Sequence, residues 1–401
     1  MGTGAPVGIR KELVALAAGR MTSAWGDVVV RVVLASGAYM QSRSALVTGL
    51  VIVAPGIGGA LTRGRLTRMM GHLGFRKLAI WAELLRAVIF GAAALVDRWS
   101  FTILVLMIAG TLQPLVEAAL SGLLSASPYD ESSRRSATAI LRSGYLIGAF
   151  AGAATPVFFA LTPAKASMWN AISFLMSAAS FLCFRSAESF REEAPRSTHV
   201  GSNAVGLIVD GRIAAAYSGA AVGLAIAAPS MPAVSHSIFA RLGTQPTAAY
   251  GIYQIVILAG MIAGGYAWKR KRPSAQWAWC FLLLGVSTPA LIAFHPTLSL
   301  FSLLMIVSAL SENVIVLEIQ MIFQTLSSPM VCAIASARLR AVLATISVGG
   351  LAVNYCFAHF MTPVRLLGAA SGIGAALGIS ILFWPGMDAR SIAPREVSEI
   401  Q

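Results

Sequence analysis

Residues 19–34 read GRMTSAWGDVVVRVVL. Nearly all of this stretch is apolar, yet it carries Arg20, Asp27 and Arg31. Their spacings of seven and four, at ~100° per residue, bring all three within ~40° on one helical face. A charge at the centre of a bilayer costs ~2.5–3.5 kcal/mol, so that face must look away from lipid. The stretch therefore reads as part of a membrane helix with a charged stripe turned into a bundle interior. Asp27 and Arg31, four residues apart, are placed to pair along the helix.

The rest of the chain agrees with a membrane reading. It has 401 residues, 57% of them hydrophobic, with a mean hydropathy of +0.75. Charged residues make up 11%, less than half of the ~25% usual in soluble domains. The apolar residues fall in runs of ~18 or more, enough to cross a hydrocarbon core of ~30 Å. Disorder, collagen and a disulfide scaffold are excluded. Arg10 and Lys11 resemble the basic flank of a signal peptide, but the segment after them is too long and is broken by Arg20 and Asp27, so the first helix is expected to be retained. The cysteines, Cys183, Cys280, Cys332 and Cys356, form no metal or redox spacing and read as packing residues.

Twelve spans are expected, at residues 13–38, 45–62, 78–96, 101–126, 136–161, 167–184, 212–236, 250–268, 277–294, 297–326, 339–361 and 364–384. The longest polar interruption, 185–211, divides them six and six. This gives an N-terminal bundle over 1–184, a central loop over 185–211, and a C-terminal bundle with a short tail over 212–401. With the N-terminus inside, and with residues at the very ends of spans counted with the adjoining loops, 21 of the 30 Lys and Arg residues fall on the cytoplasmic side and 5 on the outer side. That bias puts both termini in the cytoplasm. It also accounts for the net charge of +14 by basic loops lying against anionic lipid, so nucleic acid is not an expected partner.

The two halves echo each other. Leu115-Val116-Glu117 precedes Ser127-Pro128, and Val316-Leu317-Glu318 precedes Ser328-Pro329, with an offset of 201 positions between the glutamates. Each copy runs on into an arginine-bearing segment, Arg134-Arg135 and Arg338 with Arg340. Parallel six-helix halves are a transporter architecture, with the substrate site between them near the midplane.

Within the spans stand four bases, Arg20, Arg31, Arg86 and Arg142, and five acids, Asp27, Glu83, Glu117, Glu312 and Glu318. Glu83 with Arg86, Glu117 with Arg142, and Glu318 read as a charge network that gates or braces the cytoplasmic side, together with Arg20 and Arg31. Glu312 has no base nearby in sequence. An unpaired carboxylate in low dielectric is a proton carrier by default, which makes Asp27 and Glu312 the proton-coupling candidates. The plain alternatives are a structural ion pair for Asp27 and a protonated, hydrogen-bonded acid for Glu312. Tyr217, Tyr253, Gln254, Asn313, Gln320, Asn354 and His359 are candidates for the cavity wall. Gly144, Gly148 and Gly152 repeat every four residues and form a small-residue face for close helix contact, followed by a kink at Pro156. Similar faces are expected at Gly56, Gly58 and Gly59, at Gly260, Gly264 and Gly265, and at Gly368, Gly372, Gly374 and Gly378.

Several stretches, SAWGD (23–27), AELLRA (82–87), LVEAALSGLLSASP (115–128), ATAILRSG (137–144), NAISFLMSA (170–178), FQTLSSP (323–329) and ARLRAVLA (337–344), resemble the major facilitator superfamily. They are most similar to the branch holding the enterobactin exporter and macrolide efflux proteins. The resemblance implies an all-α integral membrane fold of two pseudo-symmetric six-helix bundles, alternating access, and export driven by proton antiport. It further implies a cavity lined by the first, fourth, seventh and tenth helices, which carry Asp27, Glu117 and Glu312. One departure stands out. Gly71 and His72 occupy the positions of the Asp-Arg pair expected between helices 2 and 3, while Gly74, Arg76 and Lys77 keep the rest. The antiporter-type glycine-proline pattern of the fifth helix is also only partly kept.

The expected function is a proton-coupled exporter of a small organic molecule, such as a siderophore, a peptide-like metabolite or a drug. Its expected setting is a bacterial-type inner membrane, as a monomer, with small-molecule substrate, protons and lipids as partners and no cofactor or metal. An importer of the same fold and a transport-inactive scaffold or sensor remain the alternatives. The scattered histidines and the absence of His-Glu-x-x-His or Gly-x-Ser-x-Gly argue against an enzyme.

Overall fold

Helix Phe75–Ala93 shows how the chain is organised. Its exposed large side chains are Trp81, Leu85 and Val88, spaced four and three apart on one face. Its buried face holds Glu83 and Arg86 among alanines and Phe90. This inverts the soluble pattern, with apolar groups outside and charges inside. A bilayer selects that arrangement, because lipid rewards no polar group and the bundle interior can pair them. Phe101, Leu104 and Ile108 form the same kind of outward stripe, as do Met168, Ile172 and Leu175.

The computed structural model describes residues 7–42, 45–61, 73–96, 98–127, 129, 131–184, 246–270 and 298–326, with separate positions at 332, 333, 336, 345, 348, 349, 365, 369 and 376. Among them the secondary structure is helical throughout. In chain order the helices are α1 (Val7–Ser42), α2 (Ala45–Leu61), α3 (Phe75–Ala93), α4 (Trp99–Gly110), α5 (Gln113–Ala126), α6 (Glu131–Phe158), α7 (Pro163–Leu182), α8 (Pro246–Arg270) and α9 (Leu298–Leu326). Four described segments are long and apolar enough to cross a membrane: Lys11–Ser42, Ser100–Ala126, Ser132–Phe158 and Gly251–Trp268. The seventh, ninth, eleventh and twelfth expected spans lie largely or wholly outside the described residues, as do Gly71 and His72 and the glycines of the twelfth span.

The span expected at 101–126 is present as Ser100–Ala126. It is built from α4 and α5, joined by a turn at Thr111 and Leu112. Pro114 is the cause, since it has no N–H to return to the Gly110 carbonyl. The backbone tightens instead, with Thr111 N donating to Ile108 O and Leu112 N to Ala109 O, both at 3.1 Å. Irregular backbone of this kind is tolerated in a membrane where protein covers it. Here α2 does so: a Cβ on Gly58 would overlap Met107 O, and one on Gly110 would overlap Pro55 O.

Helix α1 is the centre of the first half and packs mainly on α6 and α7. The predicted glycine face of α6 lies against it. A Cβ at Gly144, Gly148 or Gly152 would strike the carbonyls of Ala17, Met21 and Trp25 in turn. Gly260 and Gly264 seat α8 on Ile306 and Leu310 of α9 in the same manner. Two glycines of α1 serve a polar contact instead. Gly19 admits Ser180, and Gly26 admits Asn170 and Ser173, all from α7.

Candidate functional site

Two clusters of charge sit on α1, separated by seven residues or ~10 Å of helix. The first is built around Arg86. Its Nη2 donates to Asp27 Oδ2 at 2.8 Å and Oδ1 at 3.1 Å, and its Nη1 to Glu83 Oε2 at 3.1 Å. Ser177 Oγ donates to Glu83 Oε1 at 2.9 Å, and Asn170 Nδ2 to Asp27 Oδ1 at 3.4 Å. The guanidinium lies 3.9 Å from the Phe174 ring centroid, a geometry that adds cation–π attraction. Glu83 is fully buried and Arg86 nearly so, while the Asp27 side chain keeps 15% of its surface exposed. Two carboxylates thus share one guanidinium, with hydroxyl and amide groups from α7 on the carboxylates, while Arg86 Nε has no hydrogen-bond partner among the described residues.

The second cluster lines an open cleft. Arg20 Nη2 contacts Glu117 Oε1 at 2.5 Å. Arg20 and Arg142 lie 5.4 and 5.3 Å from the centroid of the Tyr145 ring. Arg142 Nε donates to Asn313 Oδ1 at 2.8 Å, and Asn313 Nδ2 donates to Met261 O at 2.7 Å. This chain of contacts links α1, α5 and α6 to α8 and α9. Gln320 of α9, with Ser121, Thr138, Leu120, Leu124 and Leu141, completes the lining.

The halves also meet at the end of the bundle where α1 begins. Arg135 Nη2 donates to Trp268 O at 2.6 Å, with its guanidinium 4.6 Å from the Trp268 ring centroid. Cys332 Sγ sits 3.9 Å from Ser121 O. Burial pushes the Cys332 thiol up to about 12, against the opposing effects of its hydrogen bond with Ser336 and of Arg134. Burial, and then the charge of Glu12, push the Tyr129 phenol up as well. Arg76 of α3 donates to Phe181 O at 3.0 Å and Leu182 O at 2.7 Å, capping the C-terminus of α7.

Several sequence expectations change in detail. Asp27 does not pair with Arg31 along α1. Arg86 takes it, because a guanidinium arriving from α3 can engage both carboxylate oxygens. Arg31 Nε is buried without a hydrogen-bond partner among the described residues. Glu117 contacts Arg20, Arg142 contacts Asn313, and Arg20, Glu117 and Arg142 line the same cleft. Tyr253 is buried in the apolar core and Gln254 is half-buried on α8. Glu312 and Glu318 belong to α9, but their side chains lie outside the described set. Tyr217, Asn354 and His359 lie outside the described residues altogether.

Sequence reasoning missed the contribution of α7. Asn170, Ser173 and Ser177 recur three and four residues apart in an otherwise apolar helix, a polar stripe at helical period that was visible. It also missed Tyr145, whose place beside two arginines depends on the α1–α6 packing.

By sequence, no family model and no curated protein matches the chain. By structure it is similar to the human organic anion transporter MFSD10 (TETRAN), with a TM-score of 0.75 at 13% identity over 94% of this chain and all of that one. It is also similar to a bacterial homologue of the iron transporter ferroportin in its outward-facing state, with a TM-score of 0.65 at 14% identity over 92% of this chain and 99% of that one. At such identities the likeness speaks for the fold. The chain shares the all-α integral membrane fold of these two transporters.

Proposed function

We propose that this protein is a secondary active transporter that exports a small organic molecule in exchange for protons, by alternating access between its two halves. The observation that carries this reading is the pair of charge clusters held inside a bundle whose outer surface is apolar, in a fold shared with solved transporters. Charges kept at such cost in a membrane mark a substrate or proton path. Asp27 is the proton-accepting group of the Arg86 cluster. With Asp27, Glu83 and Arg86 all ionised the cluster carries one net negative charge, and one proton on Asp27 leaves the Arg86–Glu83 pair neutral. Glu312 is a second proton carrier on α9.

The resemblance to the enterobactin exporter and macrolide efflux branch supports export, with a siderophore, a peptide-like metabolite or a drug as cargo. The basic-residue bias supports cytoplasmic termini in a bacterial-type inner membrane, and the protein works as a monomer.

The test compares cells and medium by untargeted mass spectrometry, with and without this gene. A compound that builds up inside the deletion strain and disappears from its medium is the expected result, and it names the cargo. A compound left in the medium only by the deletion strain reverses the direction to import. No difference, with the protein present in the membrane of the parent strain, favours a scaffold.

A further inference from the structure

We infer that Asn170 of α7 is the positioning residue that follows the proton on Asp27. Its side-chain amide donates to the carboxylate, and turns over to accept from the carboxylic acid. This rests on the reading of Asp27 as a proton carrier, and adds how both proton states are held inside the bundle.

The first observation is the company of Asp27. Arg86 Nη2 engages both of its oxygens, at 2.8 and 3.1 Å. Arg20 and Arg31 follow on α1 itself, and guanidiniums only donate. Glu83 has its oxygens engaged by Arg86 and Ser177. A protonated Asp27 needs an acceptor for its new O–H, because a buried donor left unmet costs ~1–3 kcal/mol. Asn170 is a neutral, fully buried group within reach. Its Nδ2 lies 3.4 Å from Asp27 Oδ1, a loose contact for N–H···O.

The second observation is the other end of the amide. Asn170 Oδ1 accepts from Ser173 Oγ at 3.1 Å, and the same hydroxyl lies 2.7 Å from the Asn170 backbone O. A hydroxyl has one proton and spare lone pairs. When the amide turns, the backbone carbonyl keeps the Ser173 proton, Nδ2 donates to Ser173 Oγ, and Oδ1 faces Asp27. Every donor has an acceptor in both positions. The third observation is space. A Cβ on Gly26 would overlap Asn170 Oδ1 and Ser173 Oγ. The residue next to Asp27 thus leaves room for the amide that serves it.

The step itself is a proton transfer from water. Asp27 keeps 15% of its side-chain surface exposed, whereas Glu83 has none. The proton bonds to Asp27 Oδ1, and the hydrogen bond from Arg86 to that oxygen is lost. The bond to Oδ2 stays, and Arg86 remains paired with Glu83. The new O–H donates to Asn170 Oδ1, at the shorter separation usual for O–H···O. Release reverses each move. The tie from α3 to α1 is therefore two hydrogen bonds in one state and one in the other.

The test is infrared difference spectroscopy on the full chain in lipid nanodiscs, stepped from about pH 9 to about pH 5. The wild type should gain a protonated-carboxyl C=O band that Asp27→Asn removes, and a side-chain amide change that Asn170→Leu removes. In Asn170→Leu the Asp27 band should move to higher frequency, as for a carboxyl whose O–H has lost its acceptor. Asn170→Gln, an amide on a longer arm, should bring it part of the way back. Ser173→Ala is the milder variant, and keeps the test open where Asn170→Leu does not fold. It should shift the amide change and leave the Asp27 band in place. An Asp27 band at unchanged frequency in Asn170→Leu, or an amide change untouched by Ser173→Ala, overturns the role of Asn170 and leaves Asp27 as the proton carrier. A spectrum with no band that Asp27→Asn removes, or with one that Glu83→Gln removes instead, overturns both.

Discussion

The two charge clusters share helix α1, yet they tie together different parts of the molecule. Around Arg86 two acids meet one base, and the described partners come from the first half: α1, α3 and α7. The Arg20–Glu117 cluster lines an open cleft, and its contacts reach α8 and α9 through Arg142 and Asn313. The first holds the helices of one half against each other, the second links that half to the other, and α1 is common to both.

The sharpest way to break this contrast is at Arg86. Arg86→Met strands two carboxylates in the interior, and breaking a buried pair costs ~3–5 kcal/mol. The variant is expected to lose most folded protein by size-exclusion chromatography in detergent. The triple change Asp27→Asn, Glu83→Gln and Arg86→Met should regain monodisperse protein while proton-driven export stays absent. Full export by the triple variant would show that the cluster is only a brace.

Next in size is Asp27→Asn. Proton-driven export should fall to the background of empty vesicles while Tm changes little, since the Asn side chain keeps the shape and one acceptor for Arg86. Full export by the variant would take Asp27 out of the proton path. A smaller effect is expected for Asn313→Ala, which removes the bridge from Arg142 to Met261 O. Loss of one hydrogen bond to a charged group is worth ~1.5–3 kcal/mol at most, so Tm should fall by a few degrees, and an unchanged Tm would mean that the bridge adds nothing to stability.

The smallest effect concerns the meeting of the halves. With its thiol pushed up to about 12, Cys332 has roughly one thiolate in ten thousand molecules at pH 8. In a background where Cys280 and Cys356 are serine, maleimide should label the exposed Cys183 and spare Cys332. Labelling of Cys332 should climb with pH above 8. Equal labelling of both thiols at pH 7 would mean that the Cys332 contact is not kept in solution.

Much of this was legible in the sequence. Apolar runs announce membrane helices because length and hydropathy alone decide insertion. The stripe of Arg20, Asp27 and Arg31 reveals an interior face because the helical period is fixed. The glycine repeat at 144–152 predicts a close contact, and α1 is what it touches. Partner identity was not legible. Asp27 has Arg31 four residues away, and the sequence offers no sign that Arg86, 59 positions later, wins by reaching both oxygens. Likewise nothing in the sequence shows that Arg20, 97 positions earlier, reaches Glu117. The break at Thr111 was written in Pro114 and overlooked, because hydropathy averages across it.

The contact of Arg135 with the last turn of α8 bears on how the protein is made. Chains are built from the N-terminus, and early segments settle before later ones arrive. Helix α6 is therefore in the bilayer, with its arginine at the rim, before Trp268 leaves the ribosome. The carbonyl of Trp268 then finds a waiting donor. The first half serves as a template on which the second is threaded, so the order of synthesis is part of the assembly route.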